Sequence, residues 1–133
     1  MQPVEHLPPS VRSAYLETHA ALCSGLPILA GIGIRLIVET VCKDKETVDE
    51  VTDKKAKYKL LETRIDELVE KQLLTPTDAG FLQRTRLVGN KAAHEALQLD
   101  EVTLNAAMDV AEHLLRSAYL LPKIADRLLT KPE

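Results

Sequence analysis

The sequence predicts an all-α fold, a compact single-domain bundle of about five helices. Three observations carry this. Apolar residues recur at helical spacing along most of the chain, and strand-like alternation is absent over any useful length. Proline, Thr-Pro and glycine signals punctuate the sequence where helices should start and stop. The length, 133 residues, suits one domain over 1–133 with a core over about 8–125. A chain of this size buries roughly two thirds of its unfolded surface, so it needs no metal or disulfide staple.

The first helix follows Leu7-Pro8-Pro9, with Ser10 as the expected N-cap. Val11, Tyr15, Thr18 and Leu22 fall on one face, and Gly25 stops it. The second starts at Pro27, in the first turn where a missing N–H costs nothing, and runs to about Lys43. Its apolar residues, Ile28, Leu29, Ile32, Ile34, Leu36, Ile37, Val38 and Val41, point almost everywhere around the axis. A helix apolar all round is expected at the centre of a bundle. Gly31 and Gly33 lower its helix propensity and so suggest a closely packed neighbour.

Residues 43–57 are dense in charges of both signs and read as a solvated loop. A third helix over about Tyr58 to Gln72 turns Leu61, Ile65 and Leu68 inward. Thr75-Pro76, with Asp78 three residues after the cap, opens a fourth helix that extends to about Ala96. The fifth begins near Asp100. Leu104, Ala107, Met108, Ala111, Leu114, Leu115 and Ala118 form its apolar face, opposite Asn105, Asp109, Glu112, His113 and Arg116. Pro122 kinks or ends it, leaving a short final turn over Ile124 to Leu129.

Composition excludes several functions. Seventeen Lys and Arg against twenty Asp and Glu give a net charge of −3, whereas binding nucleic acid by bulk electrostatics favours a basic chain. Aromatics are 3% with no Trp, too few for a base-stacking platform. Cys23 and Cys42 are too few for a disulfide framework and read as buried free thiols. No Cys/His cluster has zinc spacing, and no cofactor is expected. Met1 to Ser10 lacks the pattern of a signal peptide. The most apolar run, Leu26 to Val38, contains Arg35 and is shorter than the roughly 18 residues of a membrane span. A cytoplasmic protein without a membrane partner is the expectation.

One segment of the fourth helix carries chemistry. Arg86, Asn90 and His94 are spaced four apart, so they stack along one face with Leu82, Leu87, Ala93 and Leu97. Arg84, Lys91 and Glu95 take the other side. A cation, an amide and an imidazole on an inward face must be paired, because burying them alone costs desolvation energy. Two readings follow: a hydrogen-bonded network that orients helices, or a site in which His94 is a general base and Arg86 binds an anion such as phosphate. On the second helix Arg35 and Glu39, also four apart, read as a buried salt bridge fixing register, or as support behind that face. His6, His19 and His113 have no comparable company in sequence.

The blocks Leu29 to Cys42, Leu61 to Thr75, Thr85 to Glu95 and His113 to Pro122 resemble the domain-of-unknown-function 4145 family, over about residues 8 to 125. That family is similar to the HEPN (higher eukaryote and prokaryote nucleotide-binding) superfamily. The resemblance implies an all-α bundle, commonly dimeric, in toxin–antitoxin, restriction or antiviral systems. In active members an Arg and a His from two protomers meet at the dimer interface and cleave RNA without metal. Asn90 and His94 match the motif positions. Gly89 stands where active relatives carry Arg, and Arg86 lies eight residues before His94 on the same face.

Two functions of different class follow. One is a homodimeric, non-catalytic interaction or regulatory module linked to defence or stress systems, with an RNA or protein partner. The other is a metal-independent endoribonuclease or RNA-binding protein using a composite Arg86/Asn90/His94 site.

Overall fold

A computed structural model describes residues 3–45, 61–84 and 100–130. All regular structure among them is helical. The six segments are α1 (Pro9–Cys23), α2 (Pro27–Lys45), α3 (Leu61–Glu70), α4 (76–84 within the described residues), α5 (Glu101–Leu115) and α6 (Leu121–Thr130). A π-helical turn, Arg116–Leu120, joins the last two. The predicted all-α bundle is therefore present. The expected charged loop lies outside the described residues except for 43–45, which instead continue α2; the fourth helix beyond 84 also lies outside them.

α1 starts two residues earlier than expected. Pro8 occupies the N-cap without a side-chain cap, Pro9 opens the helix, and Ser10 lies inside the first turn. A prolyl ring already holds the dihedral that the first helical residue needs, which displaces the serine from the cap. Before it, the Arg12 guanidinium donates to the carbonyls of Val4, Glu5 and Leu7 at 3.0–3.2 Å and ties the N-terminal turn down. α1 ends as the glycine requires. Gly25 has φ +69°, and the Leu26 and Gly25 amides donate back to Ala21 and Leu22. This left-handed reversal turns α2 back along α1.

The two helices approach closely where Gly33 faces Thr18. A Cβ built at Gly33 would lie 2.9 Å from both Cβ and Cγ2 of Thr18. Thr18 is itself buried, and its hydroxyl donates to Ala14 O at 2.6 Å. α2 also packs on α3 and α5. Its buried side is Ala30, Gly31, Ile34, Ile37, Val38, Val41 and Cys42.

The expectation of a helix buried all round is not met. Leu29 is 57% exposed and Leu36 46%, with Ile32 beside them. The all-round apolar pattern of α2 exceeds what α1, α3 and α5 cover. Arg35 and Glu39 do pair, at 3.1 Å, but both side chains are about one third exposed. Their bridge is thus a half-solvated i,i+4 pair, not a buried one.

α3 ends at Glu70, two residues before the expected boundary. Gln72 adopts φ 62°, and the Gln72 and Leu73 amides donate to Val69 and Leu68. This is the same reversal as at Gly25, made here by a residue with a side chain. Ile65 and Leu68 are buried as expected. Thr75 caps α4 as its Thr-Pro signal predicts: Thr75 Oγ1 accepts from the Asp78 amide at 3.1 Å, and Ala79 and Leu82 enter the core. Asp100 caps α5 through the Thr103 amide at 2.6 Å. Every residue of the predicted apolar face of α5 is buried.

Pro122 does not end the chain's helical course. It falls in the first turn of α6, where a missing N–H is harmless. The π-helical turn before it widens the backbone and seats Tyr119 against the end of α2. Tyr119 OH donates to Asp44 Oδ2 at 2.7 Å, and Lys45 Nζ lies 4.4 Å from the ring centroid. Burial, with Asp44 beside it, pushes the Tyr119 hydroxyl above its ordinary value and keeps it protonated. α6 runs ten residues, longer than the expected final turn, and residues 121–129 are exposed throughout.

Gly33→Ala should destabilise the protein by about 1–3 kcal/mol in urea unfolding, the usual cost of overpacking, although alanine gains ~1 kcal/mol of helix propensity. Unchanged stability would contradict the close α1–α2 approach. Gln72→Gly should have the opposite sign and add about 0.5–1 kcal/mol, because glycine adopts a left-handed backbone freely.

Candidate functional site

Arg86, Asn90 and His94, together with Gly89, lie outside the described residues. The structure describes two other polar groupings that sequence spacing marked or missed, and Arg35–Glu39 is the one already marked. That pair flanks the exposed Leu29–Ile32–Leu36 face of α2. The buried Nε of Arg35 has no hydrogen-bond partner. The guanidinium is thus bonded to Glu39 through one terminal nitrogen, while its Nε meets no acceptor among the described residues.

The second grouping is on α5, where Asp109, Glu112, His113 and Arg116 line an open cleft of about 230 Å³. Glu112 is half-buried, not part of a fully solvated face. Its Oε2 accepts from the hydroxyl of Tyr15 at 2.8 Å. Tyr15 is fully buried, so this bond joins α1 to α5 through the core edge. His113 also has company after all: its Nε2 lies 3.7 Å from Asp78 Oδ2 in the first turn of α4. No sequence signal gave this contact, because the partners are 35 positions apart and on different helices. The arrangement holds three helices together at their polar edge. Mixed charge here gives no single-sign field for steering an ion.

On the outer face of α1, His19 lies over the Tyr15 ring, with centroids 6.1 Å apart, and its Nδ1 is 3.6 Å from Cys23 Sγ. Cys23 is exposed, which corrects the expectation of a buried thiol. It sits at the last residue of α1, beyond the side that α2 covers. Cys42 is buried as expected. Among the described residues no three His, Cys, Asp or Glu side chains are placed to hold a metal ion. No described helix is long and apolar enough to cross a membrane.

His6 also gains neighbours in the structure. Its buried Nε2 has no partner among the described residues, and Lys123 of α6 donates to its carbonyl at 3.3 Å. Burial first, then the nearby Lys123 charge, lowers the His6 pKa below its ordinary 6.5.

A family model described as "Domain of unknown function (DUF4145)" matches residues 16–131. No curated protein and no solved structure matches the chain.

Two measurements check this geometry. Glu112→Ala should cost about 1–2 kcal/mol, the range of a partly buried hydrogen bond to a charged acceptor. Glu39→Ala should cost under about 1 kcal/mol, as an exposed pair does. The reverse order in thermal unfolding would contradict the positions of the two carboxylates. For His6, a lowered folded pKa means the unfolded chain binds more protons below pH 6.5, so stability is lost as pH falls below that value. His6→Gln should flatten the stability profile between about pH 6.5 and 5. An unchanged slope would show that the imidazole titrates alike in both states.

Proposed function

The chain belongs to the DUF4145 family, and from that premise we propose that it is a homodimeric, non-catalytic interaction or regulatory module. The observation that carries this reading is the apolar face of α2. Leu29, Ile32 and Leu36 stand exposed in a row on a helix whose other side forms the core. Contiguous exposed apolar surface marks an association site in a water-soluble bundle. A net charge of −3 and the scarcity of aromatics argue for a protein-type interface over a nucleic-acid platform. The resemblance to HEPN proteins supports a role in restriction, defence or stress systems. Two free thiols, one of them exposed, suit a reducing compartment such as the cytoplasm.

The four-residue spacing of Arg86, Asn90 and His94 supports a second reading. In it the chain is a metal-independent endoribonuclease or RNA-binding protein with a composite site at the dimer interface. His94 would take or give the proton at the 2′-oxygen or the leaving oxygen, and Arg86 would hold the phosphate. Gly89, in the place where active relatives carry Arg, weighs against it. No metal or cofactor enters either reading.

The experiment is incubation of the purified chain with single-stranded RNA in EDTA, beside its His94→Ala and Arg86→Ala variants. The module reading expects intact RNA in all three, with His94→Ala altering stability alone. Metal-free cleavage by the wild type, lost in both variants while their fold and oligomeric state persist, would overturn it.

A further inference from the structure

The chain carries two apolar seams that nothing in its described residues covers. One is on α2: Leu29, Ile32 and Leu36, extended by Leu26 at its start. The other is on α6: Leu121, Ile124, Leu128 and Leu129, exposed by 41–82%. On a helical wheel the α6 residues gather on one side, while Lys123, Asp126 and Arg127 take the other. α6 thus has the pattern of a helix built to lie in an apolar groove, with anchors at i, i+3, i+7 and i+8.

We propose that the two seams cover each other between two copies of this chain: α6 of one protomer lies along the Leu29–Leu36 face of α2 in its partner, and reciprocally. The assignment rests on the dimeric reading above and names the surfaces that make it.

Three observations support a second copy as the occupant. First, the seams match in length. Leu29 to Leu36 and Leu121 to Leu128 are each eight residues, their ends about 10 Å apart along a helix axis. Second, the position is right. Tyr119 is bonded to Asp44 and stacked by Lys45, so α6 springs from the end of the bundle where α2 finishes. A two-fold axis perpendicular to α2 sets the partner's α2 antiparallel, which brings its Leu29 end beside that point. Third, the area suffices. Eight large apolar side chains, each roughly half exposed, offer on the order of 700 Å² per protomer, near the ~800 Å² per partner of a stable interface. Either seam alone falls well short. Arg35, about one third exposed and bonded to Glu39, with an Nε that has no partner among the described residues, borders the α2 seam and supplies the polar rim such an interface needs.

The seams are too apolar to be routine surface. α6 is also the exposed end of a helical course whose core contacts stop at Tyr119, and such an end frays unless its apolar face is covered.

The test uses the full chain with the exposed Cys23 replaced by serine. Leu36→Cys and Leu128→Cys are purified separately, oxidised alone, and then oxidised after mixing. The mixture should give a disulfide-linked dimer, and each variant alone should give at least tenfold less. In sedimentation, Leu36→Asp and Leu128→Asp should each weaken the wild-type dimer by tenfold or more while the far-UV spectrum is retained. A wild-type dimer that survives Leu128→Asp, with no mixed disulfide, would overturn the pairing of α6 with α2 and leave dimerisation standing. Efficient cross-linking of Leu128→Cys with itself would instead place α6 against α6. A wild type that is monomeric at tens of micromolar would overturn both the pairing and the dimer.

Discussion

The close approach of α1 and α2 at Thr18 and Gly33 sets the orientation of the rest of the molecule. Only a glycine lets the α2 backbone come so near the Thr18 side chain of α1, and the left-handed turn at Gly25 delivers α2 to that contact. With α1 held there, Ile34, Ile37, Val38 and Val41 face the core, where α3 and α5 complete it. The opposite side of α2 has no neighbour among the described residues. Its exposure follows from the packing of α1, and so does the surface on which the functional reading depends.

Around this core the polar contacts act as joints between helices. Tyr15 reaches Glu112 from α1 to α5, His113 approaches Asp78 from α5 to α4, and Tyr119 reaches Asp44 from the π-helical turn to α2. Each couples segments distant in sequence, and two of the three use a buried tyrosine hydroxyl that needs a partner. None gathers the convergent groups of a reaction centre. Among the described residues these contacts serve the packing of helix on helix.

Much of the fold was legible in the sequence because its signals are local. Thr75 and Asp100 are caps whose hydrogen bonds reach only three residues along the chain. The apolar face of α5 follows helical periodicity and is buried residue for residue. Gly33 betrayed a close neighbour through its cost to a helix. What was not legible depends on tertiary surroundings. Apolarity all round α2 cannot say how many helices are present to cover it, so Leu29 and Leu36 were misjudged as core. The half-solvated Arg35–Glu39 bridge follows from the same error. Ser10 lost the cap to a proline whose ring already fits the helix, and Gln72 holds a left-handed turn that no glycine announced. Glu112 and His113 looked solvated on their own helix, since their partners come from α1 and α4. Of the candidate site, Arg35 and Glu39 were correctly paired from spacing, whereas Arg86, Asn90 and His94 remain a proposal carried by spacing and resemblance.

The central claim is that the exposed seams of α2 and α6 are covered only when two chains associate. Amide hydrogen exchange followed across protein concentration tests it most directly. Coverage predicts that residues 121–129 become strongly protected as concentration rises through the dimerisation range, because the uncovered end of a helix opens readily. Residues 104–115 of α5, held by the monomer's own core, should exchange at the same slow rate throughout. Protection of α6 that is independent of concentration would contradict the account.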